Sequence, residues 1–150
     1  MTIIATIILI AYLAYAYCKM GIPYCLSDTA YTVGKGIFAS AMIAVSALLW
    51  LPLVHATSDM WLFLVFFAEA GMVGMAVSPY KEDWVTHNVH YACTLLAVVC
   101  TLSLWAVKGL WQVPVLAILI AIAMWLTMRK WMLFAELLAF GLIYSYCINY

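Results

Sequence analysis

The chain has 150 residues, of which 70% are hydrophobic and only 8% are charged. Soluble domains carry about a quarter of their residues as charged side chains, so this composition excludes a water-soluble globular domain. It predicts instead an all-α integral membrane protein with a single transmembrane helical domain over residues 1–150. Six Lys and Arg balance six Asp and Glu, which leaves no basic face for nucleic acid. The five cysteines have no CxxC spacing, so neither a disulfide framework nor a zinc cluster is expected.

Apolar runs long enough to cross a bilayer recur along the whole chain. A transmembrane helix needs about 20 such residues, and the sequence predicts a bundle of six: Thr2–Cys18, Gly36–Val54, Met60–Ser78, Trp84–Val107, Gln112–Met128 and Trp131–Ile148. A five-span alternative joins the last two runs across Arg129 and Lys130. We favour six spans, because one helix from Gln112 to Ile148 would overshoot the bilayer.

The basic residues predict the orientation of the bundle. All but one fall in the first, third and fifth connections between spans, namely Lys19, Lys35, Lys81, Arg129 and Lys130. The second and fourth connections together hold only Lys108. Because basic connections stay in the cytoplasm, we expect the odd connections inside and both termini on the outer side. The chain is then an integral protein of a bacterial inner membrane, with membrane lipids as its first partners.

The first connection has an unusual composition for a tight turn. Gly21–Tyr31 contains turn residues, aromatic side chains and the pair Ser27 and Asp28. We expect it to lie in the membrane interface or to fold back over the bundle, where protein or headgroups satisfy its backbone. Ser27 then acts as the N-cap of a short interfacial helix, or the segment forms a lid that carries Asp28 toward the interior.

A line of polar residues opens the fourth span. At about 100° per residue, one face of a helix collects Asp83, His87, His90, Thr94 and Thr101. Ionisable groups within a membrane are energetically costly and are candidates for function by default. The sequence therefore predicts a polar stripe that runs into the bilayer from the cytoplasmic side.

Further acids are expected on the same side of the membrane. Glu69 lies roughly 14 Å and His90 roughly 10 Å from the predicted cytoplasmic edge, at 1.5 Å per residue. Consecutive antiparallel spans pack together, so we expect Glu69 and His90 at similar depth, with Glu136 entering from the same side. The candidate residues for binding a ligand or a proton are Ser27, Asp28, Glu69, Asp83, His87, His90 and Glu136.

Small residues in the third span suggest a close helix contact. Ala70, Gly71 and Gly74 have the spacing that lets two helices approach closely. The contact lies either within the bundle or between two copies of the chain. In the second case, these three residues form the contact of a homo-oligomer.

Short motifs carry a resemblance to known membrane proteins. They are Pro23, Leu26–Asp28, Phe38 and His87–Val89. Together they resemble small bacterial or phage multi-spanning proteins, and they are similar to the DRAM-type six-span family, which is related to a factor acting on glycolipid anchors. The resemblance implies a lipid-handling role and points to Ser27, Asp28 and His87.

Three functions follow from these residues. The first is binding or transport of a proton or a small polar or cationic ligand in a cavity lined by Glu69, Asp83 and His90. The second is a membrane-embedded lipid-modifying enzyme, in which His87 or His90 acts as a base with Ser27 or Asp28. The third is a non-catalytic structural subunit of a membrane complex, in which the polar groups only fix helix register.

A metal-dependent form of the enzyme is a further alternative. Imidazole and carboxylate groups at helical spacing can bind a divalent cation. The four candidate ligands are Glu69, Asp83, His87 and His90. No other cofactor is expected.

Overall fold

A computed structural model describes residues 1–78, 81 and 83–149, and in this part of the chain helices and short connections occur without any β-strand. The helices are α1 (Thr2–Met20), α2 (Thr29–Val33), α3 (Lys35–Ala56), α4 (Leu62–Val77), α5 (Trp84–Val107), α6 (Gln112–Thr127) and α7 (Trp131–Asn149). Two 3₁₀ turns cover Leu26–Asp28 and Asp59–Trp61. The predicted all-α class is confirmed.

Five segments of the described chain are long and apolar enough to cross a membrane. They are Thr2–Met20, Lys35–Ala56, Asp59–Val77, Trp84–Val107 and Trp131–Asn149. This finding identifies a helical bundle with the architecture of an integral membrane protein. The remaining long helix, α6, is apolar but has 16 residues, so it extends about 24 Å against a hydrocarbon core of about 30 Å. The sixth span and the side on which the termini lie stay predictions.

The five-span alternative placed one continuous helix between Gln112 and Ile148. The structure shows two helices there, because α6 ends at Thr127 and α7 begins at Trp131. The Arg129–Lys130 break therefore separates two elements, as the six-segment division of the sequence predicted. The helix boundaries elsewhere lie within two residues of the predicted spans.

Helices α4 and α5 approach each other closely at two glycines. A Cβ atom at Gly71 would lie 2.6 Å from the carbonyl oxygen of Cys93 and 2.7 Å from the backbone nitrogen of Ala97. A Cβ atom at Gly74 would collide with the Cys93 side chain. The two glycines are therefore used within the protomer, whereas Ala70 is exposed. Because Gly71 and Gly74 already pack against α5, they are not available for a homo-oligomer contact built on all three small residues.

The first, third and fifth connections meet at one end of the bundle, which we call the polar end. The backbone nitrogen of Leu133 donates to the carbonyl of Tyr24 at 3.0 Å, and the Lys130 ammonium donates to the carbonyl of Ile22. An ion pair between Lys81 and Asp28 joins the third connection to the first. The predicted grouping of the odd connections is thus present in the fold.

Candidate functional site

The segment after α1 folds inward at the polar end. Leu26, Ser27 and Thr29 are all buried. The Thr29 hydroxyl donates to the carbonyl of Leu26 at 2.5 Å, so the Tyr12 hydroxyl donates to Thr29 in their mutual hydrogen bond. This confirms that the first connection folds back over the bundle. The N-cap role expected for Ser27 is wrong, because Ser27 lies inside the Leu26–Asp28 turn and no side-chain cap forms there.

The Ser27 side chain contacts the buried His90 ring. Ser27 Oγ lies 3.0 Å from His90 Nε2, and His90 Nδ1 lies 2.7 Å from the carbonyl oxygen of Ser78. A carbonyl oxygen can only accept, so Nδ1 carries the hydrogen and Nε2 is the acceptor for the Ser27 hydroxyl. Serine, imidazole and carbonyl thus form a directed relay, with only 2% of Ser27 and 5% of His90 exposed.

Glu136 on α7 holds the turn that carries Ser27. Its Oε2 atom accepts a hydrogen bond of 2.5 Å from the backbone nitrogen of Leu26. The chain just upstream of this turn is held by two further hydrogen bonds. One comes from Leu133 near the start of α7, and the other from Lys130 immediately before α7. Glu136 therefore positions the residue next to Ser27, which agrees with its predicted place near the site.

Asp28 contacts the third connection. It forms an ion pair with the half-exposed Lys81, and the backbone nitrogen of Lys81 donates to the Tyr31 hydroxyl at 2.6 Å. The hydrogen bond to Asp28 raises the pKa of Lys81 above its ordinary value. Asp28 thus joins the first and third connections. The lid that carries Asp28 toward Glu69 and His90 stays a prediction.

The outer part of the predicted polar stripe lies at the start of α5, where it caps the helix. Asp83 is the N-cap, and its carboxylate accepts from the Thr86 backbone nitrogen at 2.8 Å and from the Thr86 hydroxyl at 2.7 Å. These hydrogen bonds lower the pKa of Asp83. His87 is exposed, with its ring 4.7 Å from that of Tyr91. Only from His90 inward does the stripe enter the protein.

Glu69 forms a second polar site, separate from the first. Its Oε2 atom accepts from the hydroxyl of Ser46 on α3, while Oε1 is buried and has no hydrogen-bond partner within the described residues. Gly71 lies opposite Cys93 and Ala97, so Glu69 is level with about residue 97 and lies about 10 Å deeper than His90. The expected placement of the two at similar depth is not found.

The four predicted metal ligands do not come together. Asp83 caps α5, Glu69 contacts Ser46, and His90 contacts Ser27 and Ser78. In residues 1–78, 81 and 83–149, no group of three or more His, Cys, Asp or Glu is placed to hold a metal ion. The divalent-metal alternative therefore stays a prediction for which the described residues provide no set of three ligands.

An apolar cavity of about 230 Å³ lies between α4, α5, α6 and α7. Met75, Thr94 and Glu136 line it toward the polar end. Thr94 donates to the carbonyl of His90 at 2.8 Å, and Glu136 accepts from Leu26. The cavity therefore reaches the residues that surround the Ser27–His90 pair.

Sequence reasoning missed the partners that complete both sites. The Ser78 carbonyl gave no signal, because every residue has one. Ser46 did leave a trace, since it is a polar residue in the middle of an apolar span. A search for polar residues at matching depth in adjacent spans would have paired it with Glu69.

The chain matches no family profile, no curated protein and no solved structure. The resemblance to the DRAM-type family stays a prediction that rests on its motif residues. Of these, Ser27 is the one whose side chain hydrogen-bonds to His90.

Proposed function

We propose that the chain is a membrane-embedded lipid hydrolase in which Ser27 and His90 cleave an ester or amide bond of a membrane lipid. The observation that carries the proposal is the hydrogen bond from Ser27 Oγ to His90 Nε2, with Nδ1 held by the Ser78 carbonyl. A hydroxyl is a weak nucleophile until a base within hydrogen-bond reach removes its proton. The buried pair supplies that arrangement.

The proposed reaction moves one proton between Ser27 and His90 in each of its two stages, acylation and hydrolysis. As Ser27 Oγ attacks the acyl carbonyl, the Ser27 proton passes to His90 Nε2, and the Ser78 carbonyl stabilises the imidazolium through Nδ1–H. The imidazolium then protonates the departing alcohol or amine, which leaves the acyl group on Ser27. Water enters, gives its proton to His90 and releases the fatty acid, and Ser27 recovers its proton.

The surroundings support a lipid as the substrate. The polar end carries the pair at the end of an apolar bundle, and the cavity beside it has an almost wholly apolar lining. The positive-inside distribution favours a six-span protein with outer termini and the pair near the cytoplasmic face of a bacterial inner membrane. Lipids of that leaflet would approach sideways through the bilayer rather than through water.

Hydrolysis by purified variants tests the proposal. Ser27→Ala and His90→Gln are expected to lower the hydrolysis of phospholipids and nitrophenyl esters at least about 100-fold. Ser103→Ala is the matched control, because the Ser103 hydroxyl donates to the Val99 carbonyl of its own helix at 2.8 Å. If Ser27→Ala folds and retains wild-type hydrolysis, the enzyme proposal fails and a structural role for the polar groups takes its place.

A second candidate function, binding or transport of a proton or small polar ligand, is favoured by Glu69. Its Oε1 atom is buried in the bundle without a hydrogen-bond partner in the described residues, and such atoms are rare in folded proteins. A carboxyl oxygen in this state can receive a proton or a ligand. Proteoliposomes containing a pH-sensitive dye provide the test. Proton uptake should occur with wild type and not with Glu69→Gln, and uptake equal to that of empty vesicles would reject this function.

A further inference from the structure

Small side chains create the cavity between α4, α5, α6 and α7. Its lining includes five alanines, namely Ala97, Ala117, Ala121, Ala135 and Ala139. Thr94, Thr101 and Glu136 are the lining residues that bring polar side-chain atoms. Apolar cavities of about 150 Å³ stay dry and bind apolar molecules, so a cavity of about 230 Å³ can accept a hydrocarbon group.

Helix α6 forms a thin wall between this cavity and the surrounding lipid. Ala117 is the one buried residue of α6, and Ala121, one turn later, also lines the cavity. The opposite face of the helix is exposed and includes Leu119 and Ile122. A chain in the bilayer therefore needs to pass only one short helix to reach the cavity.

The cavity has a polar end and an apolar end. Toward the site, Met75 lies one turn before Ser78, and Thr94 lies one turn after His90 and bonds its carbonyl. Along α7, the lining continues from Met132 to Ile143, which is about 16 Å at 1.5 Å per residue. The cavity is thus elongated along the bundle, and one of its ends lies about one helical turn from Ser78 and His90.

We infer that this cavity, the acyl cavity, binds a single hydrocarbon chain of the lipid substrate and presents the chain's carbonyl carbon to Ser27. This inference rests on the proposed hydrolase function. The volume of about 230 Å³ is too small for a helix from a partner, which is about 10 Å across, and the apolar lining disfavours a polar headgroup. A single acyl chain matches the length, the apolar lining and the position of the polar end.

Chain-length selectivity tests the inference. Ala121→Phe places a ring in the acyl cavity, whereas Leu119→Phe places the same ring on the lipid-facing side of α6, where Leu119 is 57% exposed. The ratio of kcat/KM for laurate and butyrate nitrophenyl esters should fall at least about tenfold in Ala121→Phe, since burying two methylenes is worth about that factor. The ratio in Leu119→Phe should match wild type. An unchanged ratio in a folded Ala121→Phe protein overturns the inference.

A binding readout separates this inference from the hydrolase proposal. A fatty acid with a diazirine at the end of its chain is photo-crosslinked to wild-type protein and to Ala121→Phe in detergent. Adducts should map to the Ala117–Ala121 and Ala135–Ile143 segments in wild type and decrease at least about tenfold in Ala121→Phe. If Ser27→Ala retains hydrolysis but this labelling pattern holds, the hydrolase fails and the acyl cavity stands. If Ser27 is essential but adducts are scattered over the outer surface, the hydrolase stands and the acyl cavity fails.

Discussion

Ser27 and His90 are 63 positions apart in the chain, yet the Ser27 hydroxyl lies 3.0 Å from His90 Nε2. The contact depends on three elements that meet at the polar end. The 3₁₀ turn Leu26–Asp28 carries the serine, α5 carries the histidine, and Ser78 after α4 fixes the tautomer of the ring. The pair is therefore sensitive to changes in residues that do not touch it.

Glu136 is the first such residue. Glu136→Ala removes the acceptor of the Leu26 backbone N–H, and an unsatisfied buried N–H costs about 1–3 kcal/mol. We expect faster hydrogen exchange over residues 21–33 and slower ester hydrolysis. Glu136→Gln keeps an acceptor oxygen and should give intermediate values. Identical exchange in wild type and Glu136→Ala would show that Glu136 does not hold the turn.

Two glycines offer a matched test of helix packing. In Gly71→Ala the new Cβ meets backbone atoms of Cys93 and Ala97 at 2.6 and 2.7 Å. Such overpacking typically destabilises by about 1–3 kcal/mol. A Cβ atom at Gly141, which also lies inside a helix, would meet no heavy atom of the described residues within 4 Å, so Gly141→Ala should stabilise by about 0.5–1 kcal/mol. Unfolding in mixed micelles measures both, and equal effects would argue against the close α4–α5 contact.

Asp83 predicts an acid-dependent loss of stability. Hydrogen bonds from Thr86 lower its pKa in the folded state below the ordinary 3.8. The stabilisation is therefore complete above the unfolded pKa and is lost as the pH falls through the lower folded value. Asp83→Asn retains an N-cap acceptor but cannot titrate. The Tm difference between wild type and Asp83→Asn should be largest near pH 6 and shrink toward about pH 3, whereas a constant difference would contradict the account.

The Ser46–Glu69 pair predicts an asymmetry between its two partners. Glu69→Gln still offers an oxygen to the Ser46 hydroxyl and should change the free energy of unfolding by less than about 1 kcal/mol. Ser46→Ala removes the hydrogen bond that Glu69 Oε2 accepts and should cost about 1–3 kcal/mol. Chemical unfolding of both variants in the same detergent checks the order. A larger loss in Glu69→Gln would reverse it.

Much of the fold could be predicted from the sequence because the bilayer imposes length and apolarity on each span. The segment Trp84–Val107 has the same bounds in the sequence prediction and in the structure. Its start is set by an N-cap that the sequence displays, Asp83 before an apolar run. The α6–α7 break follows likewise from Arg129 and Lys130.

The residues of the site were predictable, and Ser27 with His90 was one of the base and nucleophile combinations that the sequence left open. The sequence could not select this combination, because the turn that carries Ser27 is held by Glu136 from a distant part of the chain. The predicted depth of Glu69 relative to His90 was wrong, because both depths were counted from the same predicted membrane edge. The His90 ring bonds the Ser78 carbonyl, so the first turns of α5 extend past the end of α4. Because of this offset, His90 lies closer to the polar end than Glu69 does.

Labelling by a fluorophosphonate tests the central claim most directly, because this reagent reacts preferentially with an activated serine. Intact-mass and peptide analysis of the wild-type protein should show one adduct, located on Ser27. The rate should fall at least about 100-fold in His90→Gln, and the adduct should be absent in Ser27→Ala. A folded wild-type protein that forms no adduct, or forms it on another serine at an unchanged rate in His90→Gln, would contradict the proposed hydrolase.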